Sequence, residues 1–559
     1  MQDYPKWNLL SSKKAKNETE ILDILFKSRN LYLKDKSVYE FTLTDIGINQ
    51  KNFEKAFERL KVSKEKNEKI FIYGDYDADG ICATASLWEI LYSLGFNVLP
   101  FIPDRFTDGY GINEESVKRL INKNEDISLI ITVDNGIVAN KAIDYCNDQN
   151  IDVIVTDHHT KSKKVPKALS IIHTTQTSGS AIAWIFGQEI EKRITGKTSN
   201  SKKTIELACI GTVADQLPLK DFNRSLVKEG ISSLKKTKRH GLVALFETAS
   251  IDKNKLGTYE INYLIAPRIN ASGRLASGMD ALRMLCTNDS LKSRRFAKNL
   301  HELNLERQDL VARLVDIAES QVTESKIIVV SSADFHEGVI GLIASRITEK
   351  YYRPTIALSI NGEHAKASAR SIKNFSIAEL INDFREDLIE GGGHDMAGGF
   401  LIETEKIANF EKKINKHYNR FLTSDLLTKS LEIDLTLRIE NINFSLLNSL
   451  EKLEPFGVGN RKPLFMIESA TISNPKTLGK EAEHLKFQIN GIDSIFFRKG
   501  ELLRELSDEK KYDLVFSLER NIWNGKESLQ IVVKDIRENN GKRFSRSNKR
   551  SKKILPKNK

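Results

Sequence analysis

Between residues 69 and 173 short apolar runs rich in β-branched residues recur at regular intervals: KIFIY (69–73), NVLPFI (97–102), SLIITV (128–133), DVIV (152–155) and LSIIH (169–173). The stretches between them, such as ATASLWEILYSLG (83–95), space their apolar residues with a helical period. Strands alternating with helices predict a parallel sheet of right-handed βαβ units. In such sheets ligands bind beyond the carboxyl ends of the strands, so the residues after each run carry the chemical interest. From about 279 to 322 the pattern becomes one long, charged, helix-period stretch without glycine or proline, which reads as a connector. A second α/β block follows from KIIVV (326–330), and a third, strand-rich block carries the hairpin VFSLERNIW/KESLQIVVKDI around Asn524-Gly525, a pair suited to a type I′ turn. The expected organisation is a helical, lysine-rich segment over 1–68, an α/β domain over 69–240, a helical connector over 241–325, a second α/β domain over 326–425, a β domain over 430–540 and a tail over 541–559.

The 559 residues suit several domains, each able to bury its own core. A hydrophobic share of 40% with 29% charged residues excludes bulk disorder. No apolar run approaches the ~18–20 residues of a membrane span, and MQDYPKWNLLSSKKAK lacks a secretory apolar core, so no membrane association is expected. Four scattered cysteines (Cys82, Cys146, Cys209, Cys286) without CxxC spacing read as reduced core thiols of a cytoplasmic protein. The net charge is +11, but residues 541–559 hold nine Lys and Arg and no acid, so the folded body is nearly balanced. The tail is expected to be solvated and to attract phosphates without reading sequence.

Four segments place acids or histidines where ligands should bind. GDYDADG puts Asp75, Asp77 and Asp79 after KIFIY; VDNG puts Asp134 at the end of SLIITV; TDHH puts Asp157, His158 and His159 after DVIV; and GTVADQLPL puts Asp215 after an apolar helical stretch. Any one of these aspartates alone reads as a turn or N-cap residue. Gathered together, such carboxylates repel one another unless a cation neutralises them. Mixed carboxylate and imidazole donors without cysteine suit Mn²⁺ or Mg²⁺. Two such ions, about 3.5–4 Å apart, would support phosphodiester hydrolysis.

In this order and spacing the four motifs resemble those of the DHH phosphoesterase superfamily, and from about 40 to 540 the chain resembles its RecJ family of single-strand-specific 5′→3′ DNA exonucleases. The resemblance implies that Asp75, Asp77, Asp79, Asp134, His158 and Asp215 hold two metal ions, with Asp134 bridging, and that His159 reaches the scissile phosphate. Tyr73 stands where some members carry a histidine, which leaves the first metal dependent on Asp75. It implies a parallel-sheet DHH domain joined by a long helix to a second α/β (DHHA1) domain, with a strand-wide channel between them, followed by an OB-fold β-barrel.

Further motifs acquire candidate roles in binding the strand. PDRFTDGYG offers Arg105 and Tyr110, an arginine and an aromatic ring suited to a phosphate and a base. APRINASGRL offers Arg268, Asn270 and Arg274; alone it reads as a polar loop with capping residues, whereas the resemblance turns it toward the nucleic acid. FHEGVIG, ASARS and GGGHDMAGG resemble the DHHA1 domain, with His336 near a helix start and Ser368 and Arg370 matching a pocket for the terminal 5′-phosphate. Gly391, Gly392 and Gly393 allow positive φ and close backbone approach, so they are expected to point N–H groups at an anion, with His394 as a side-chain donor. In the third block, most of Phe487, Phe496, Phe497 and Phe516 are expected in the core, and Trp523 is the ring most expected at the surface; Arg461, Lys486 and Arg498 are candidate phosphate contacts. A monomer acting on single-stranded DNA in recombination and repair, alongside a helicase and a single-strand-binding protein, is what the resemblance implies. The alternatives are a phosphodiesterase of short oligonucleotides or cyclic dinucleotides and a non-catalytic strand-binding scaffold.

Overall fold

The computed structural model describes residues 4 and 6–539 except 14, 32–34, 106, 110, 125 and 524. The predicted Tyr110 contact, the Asn524 turn residue and the basic tail lie outside the described residues. The chain forms two compact units.

The first unit comprises Leu31–Gln308 and Glu454–Arg461. Its sheet contains β1 (Lys69–Tyr73), β2 (Val98–Phe101), β3 (Ile127–Val133), β4 (Asp152–Asp157) and β5 (Ser170–His173), all parallel, in the order β2-β1-β3-β4-β5. Along β1, Ile70 and Ile72 join a core on one face while Phe71 and Tyr73 join a core on the other. Burial on both faces is why KIFIY is continuously apolar rather than alternating. Helix α1 (Ala78–Ser93) follows β1, and α2 (Gly179–Thr195) and α3 (Ser199–Ala214) pack beside it. APRINASGRL is helical, not a loop: it forms α4 (Ala266–Leu275), with Pro267 directly after a π-helical turn at Ile261–Ile265. The predicted single connector is instead two helices, α5 (Gly278–Cys286) and α6 (Ser290–Glu319). The break is the Asp289 side chain, whose Oδ1 accepts N–H bonds from Leu291 and Lys292 and so caps α6.

The second unit comprises the chain up to Asn30, Asp309–Leu453 and the chain from Lys462. One sheet holds β6 (Ile328–Ser332), β7 (Thr355–Asn361), β8 (His364–Arg370), β9 (Glu390–Gly393) and β10 (Ala397–Glu403) in the order β9-β10-β8-β7-β6, with helix α7 (Ile340–Tyr351) after β6; only β6 and β7 are parallel. A further sheet holds β11 (Leu435–Thr436), β12 (Phe465–Leu478), β13 (His484–Ile489), β14 (Ile492–Phe496), β15 (Lys511–Trp523) and β16 (Lys526–Glu538). Its order is β11-β12-β13-β14-β16-β15, and β12 also pairs with β15, so the pairings return on themselves. The hairpin has the register read from sequence, Trp523 opposite Lys526, with Gly525 at φ 76°.

Residues 1–68 are not simply helical. Lys6–Leu9 is a strand paired in parallel with Ser430–Ile433, and Trp7 donates its indole N–H to Asp535 at 2.7 Å, whereas helix Gln50–Glu65 buries Phe53, Ala56 and Leu60 in the first unit. A four-residue strand whose partner lies more than 400 residues away leaves no local periodicity to read. Likewise Glu454–Arg461, and Arg461 with it, belongs to the first unit, where Leu219 N–H bonds the Val458 carbonyl at 2.8 Å.

Candidate metal centre and phosphate-binding elements

In the order β2-β1-β3-β4-β5 the chain reverses direction across the sheet between β1 and β3, and the crevice beyond these strand ends is where such sheets bind ligands. Asp75 follows β1 and Asp134 follows β3. Asp134 adopts a left-handed backbone, φ 62°, and its N–H bonds the Thr156 carbonyl at 3.0 Å, so the side chain turns inward at the strand end. His158, just past β4, places Nε2 3.1 Å from Asp134 Oδ1 and 3.6 Å from Asp215 Oδ2. Three overlapping groups of donor atoms each lie within 4.8 Å: Asp75–Asp77–Asp134, Asp79–His158–Asp215 and Asp134–His158–His159. All seven residues singled out from the four motifs thus come together, and Asp134 and His158 each belong to two groups.

The electrostatics are those of a site short of positive charge. Burial, and then Asp77, push the Asp75 carboxyl up to about 8. Loss of solvent, with Asp79 and Asp77, pushes Asp215 to about 8. Asp134 is raised well above the carboxylate range by burial and by Asp79, Asp77, Asp75 and Asp215. Burial lowers His158, favouring the neutral imidazole that a metal requires. Asp134 Oδ1 is buried and, among the described residues, receives no hydrogen bond. A buried, orphaned carboxylate oxygen among acids is costly, and divalent cations with a preference for oxygen and imidazole fit this donor set.

Each acid is also held by the fold. Asp77 is the N-cap of α1, its Oδ1 accepting N–H bonds from Asp79 and Gly80 at 2.9 and 3.0 Å, so the turn-residue reading holds for Asp77 as well as the cluster reading. Both Asp79 oxygens accept N–H bonds from the start of α2, Gly179 at 2.7 Å and Ser180 at 3.0 Å, where the helix dipole favours negative charge. A Cβ at Gly179 would collide with Asp134 and one at Gly211 with Asp79, which explains the glycine of the GTVADQLPL motif. Asp157 is the residue of these motifs to which sequence reasoning assigned no role. Its Oδ2 accepts the Ile137 N–H at 2.9 Å, and its Oδ1 takes the N–H groups of His158 and His159 and His159 Nδ1 at 2.7, 3.0 and 2.8 Å. Burial opposes a charge on His159, but the Asp157 bond and the charges of Asp157, Asp215 and Asp75 outweigh it and push the imidazole up to about 9. The signal was the TDHH segment itself, in which the acid precedes both histidines.

The strand-contact candidates divide. Arg105 lies over the Tyr76 ring, 5.2 Å from its centroid. Asn270 accepts the Ala78 N–H at 2.7 Å and so braces the start of α1. Arg268 is buried, donating to the Leu264 carbonyl at 2.6 Å and toward His301 Nδ1 at 3.2 Å, so its place is inside the fold. Arg274, in the last turn of α4, adds positive charge near Tyr76.

In the second unit, Arg370 Nη1 donates to Ser368 Oγ at 3.1 Å and to the Ala369 carbonyl at 2.8 Å. A Cβ at Gly341, in the first turn of α7, would lie 2.9 Å from Arg370 Nη2 and 3.1 Å from Ser368 Oγ. A guanidinium, a hydroxyl and a helix start therefore converge, a combination suited to an anion. His336 Nδ1 accepts the Gly338 N–H at 3.1 Å as the chain enters α7. The glycine-loop expectation is corrected: Gly391, Gly392 and Gly393 lie in strand β9, opposite Phe400, Gly399 and Gly398, and none has positive φ. Packing explains them better, since a Cβ at Gly393 would sit 2.5 Å from the Gly398 Cα and one at Gly391 2.6 Å from the Phe400 Cβ; Gly392 faces open space. The exposed His394 donates its backbone N–H to the Ala397 carbonyl at 2.8 Å, closing the β9–β10 turn. Phe487, Phe496 and Phe516 are core, whereas Phe497 is 50% and Trp523 73% exposed; Lys486 pairs with Asp493 at 2.6 Å and Arg498 is exposed.

Three family models match the chain: the DHH family N-terminal domain over residues 69–212, the DHHA1 domain over 324–420 and the RecJ OB domain over 433–535. The single-stranded-DNA-specific exonuclease RecJ of Bacillus subtilis (strain 168) is 32% identical over 540 residues, covering 93% of this chain and 67% of that protein. That of Thermus thermophilus is 31% identical, covering 87% and 71%. The crystal structure of T. thermophilus RecJ in complex with Mn²⁺ matches with a TM-score of 0.83 at 27% identity, covering 96% of this chain and 80% of that one.

Proposed function

Since the chain belongs to the RecJ family, we propose that it is a single-stranded-DNA-specific exonuclease that hydrolyses phosphodiester bonds from the 5′ end, in DNA recombination and repair. The observation that carries the reading is the convergence of five aspartates and two histidines around the buried, orphaned Asp134 Oδ1. Asp75, Asp77, Asp79, Asp134, His158 and Asp215 would hold two Mn²⁺ or Mg²⁺ ions, which supply Lewis acidity toward the phosphate and the attacking water. Asp134 is the residue suited to be shared: like His158 it belongs to two of the three donor groups, but its carboxylate has two oxygens to share where a neutral imidazole offers one nitrogen. Asp79 faces the start of α2, where its two backbone hydrogen bonds fix its orientation. His159, oriented and kept cationic by Asp157, offers its remaining ring nitrogen to a phosphate oxygen whose charge grows in the transition state.

Ser368 and Arg370 form the pocket for the 5′-phosphate, which would fix the end from which cutting starts; Arg105 and Arg274 in the first unit, and His336, Gly392, His394 and Trp523 in the second, are further contacts offered to the strand. Among the described residues no helix is long and apolar enough to cross a membrane. The four unpaired cysteines favour a reducing cytoplasm, with a helicase and a single-strand-binding protein as partners of a monomeric enzyme. The test is cleavage of 5′- and 3′-labelled single strands and duplexes with Mn²⁺ or Mg²⁺. Mononucleotides released from the 5′ end of single strands are expected; equal cutting of duplexes, or release from the 3′ end, would refute the assignment.

A further inference from the structure

Residues 258–275 form one continuous helical rod: a first turn at Thr258–Glu260, a π-helical turn at Ile261–Ile265 and then α4. Its carboxyl half is fixed to the loop that carries the first three aspartates. Asn270 accepts the Ala78 N–H, and Gly273 lies so close to the Tyr76 carbonyl that no side chain fits between them. Its amino half presents Tyr259 and Tyr263, 63% and 59% exposed, with ring centroids 4.8 Å apart and planes tilted by 38°. Among the described residues no other contacting pair of Phe, Tyr or Trp rings has both members more than half exposed.

Asn270 and Arg274, four residues apart in α4, share one face of the rod's carboxyl half, and the ring contact sets Tyr259 and Tyr263 side by side on its amino half. At about 1.5 Å per residue, the tyrosines stand roughly 10–16 Å along the rod from Asn270. π-Turns inside helices are frequent at functional sites, and this one lies beneath the ring pair.

We propose that Tyr259 and Tyr263 form a stacking platform for bases of the single strand, a few nucleotides into the chain from the bond being cut. It rests on the exonuclease reading above. Exposed aromatic faces beside a phosphodiester-cleaving centre bind unpaired bases without regard to sequence, since every base offers a π-face. A base paired in a duplex has its faces covered by its neighbours, so the platform also favours single strands. Arg274, at the other end of the same rod and near Tyr76, ties the rod that carries the rings to the nucleic acid rather than to a protein partner.

The test compares wild type, Tyr259→Ala/Tyr263→Ala and Tyr259→Phe/Tyr263→Phe on a 5′-phosphorylated thymidine oligomer and on the 5′-phosphorylated dinucleotide. Stacking is worth about 1–3 kcal/mol per base, so the ratio of oligomer to dinucleotide kcat/KM should fall about tenfold or more in the alanine pair and stay near wild type in the phenylalanine pair. In EDTA, where the strand stays intact, 2-aminopurine placed at successive positions from the 5′ end should be quenched at one or two internal positions by wild type but not by the alanine pair. An unchanged ratio in the alanine pair, leaving the rings to some protein partner, would overturn the platform. An equal loss in the phenylalanine pair would overturn it too, because the hydroxyls would then be what matters. If wild type cuts neither substrate, the exonuclease reading fails first and the platform falls with it.

Discussion

Replacing Asp134 by asparagine should stabilise the metal-free protein and at the same time abolish its response to Mn²⁺. Asparagine is nearly isosteric and tolerates the left-handed backbone at φ 62°, so the change removes charge with little strain. Asp134 shares a 4.8 Å neighbourhood with Asp75 and Asp77, and at an effective dielectric constant of about 20 each fully ionised pair at that distance costs about 3.5 kcal/mol. Sharing of protons among the acids reduces this, leaving an expected gain of about 2 kcal/mol, or roughly 4–8 °C in Tm for a unit of this size. The sign with pH follows from the raised carboxyls. They are protonated and harmless below the unfolded value of about 4, and their repulsion grows as pH climbs through the folded value of about 8 carried by Asp75 and Asp215. The advantage of Asp134→Asn should therefore vanish near pH 4 and be largest above pH 8. Ligation relieves the same repulsion in wild type: saturating Mn²⁺, at 100 times its Kd, should add about 2.7 kcal/mol, and the variant should show little of this. Melting curves at pH 5 and 8, with EDTA and with Mn²⁺, read all four combinations. A metal-free variant melting at or below wild type at pH 8, or an equal Mn²⁺ shift in both proteins, would refute the charge-cluster reading.

Arg370→Ala should lower kcat/KM on 5′-phosphorylated strands by about tenfold or more, the worth of a charge-assisted hydrogen bond, and shrink the preference for phosphorylated over 5′-hydroxyl ends; an unchanged preference would remove Arg370 from the pocket. Gly393→Ala should destabilise the second unit by about 1–3 kcal/mol, because the new methyl meets the Gly398 Cα, whereas Gly392→Ala should stay within about 0.5 kcal/mol by thermal or urea melts. Equal losses in both variants would contradict the packing explanation for these glycines.

The sequence carried the first sheet and the identities of the clustered residues almost completely. A strand buried on both faces is a continuous apolar run bounded by polar turns, and all five runs of residues 69–173 became strands within a few residues of their expected bounds. Acids at strand ends are visible because nothing in a turn requires so many of them. Other features had no local signature. The strand Lys6–Leu9 exists through pairing with Ser430–Ile433, and Glu454–Arg461 joins a unit that is otherwise finished by Gln308. The GGG run looked like an anion loop because glycine permits positive φ, but glycine is also what two closely packed strands require, and only β10 showed which demand applied.

The sequence by itself determined which donors are present, since the count and order of aspartates and histidines in the four motifs are properties of the chain, and with them the chemistry that repelling carboxylates call for. Tertiary structure decided how those donors are held. Asp79 is fixed by the N–H groups of Gly179 and Ser180, about a hundred residues away, Asp157 orients His159, and Asn270 braces Ala78. Such assignments depend on distances between segments remote in sequence, and periodicity, which reports only on neighbours within a turn or two, is blind to them. The same limit hid the Tyr259–Tyr263 pair: a tyrosine four residues from another reads as ordinary core until the fold shows that both rings face solvent.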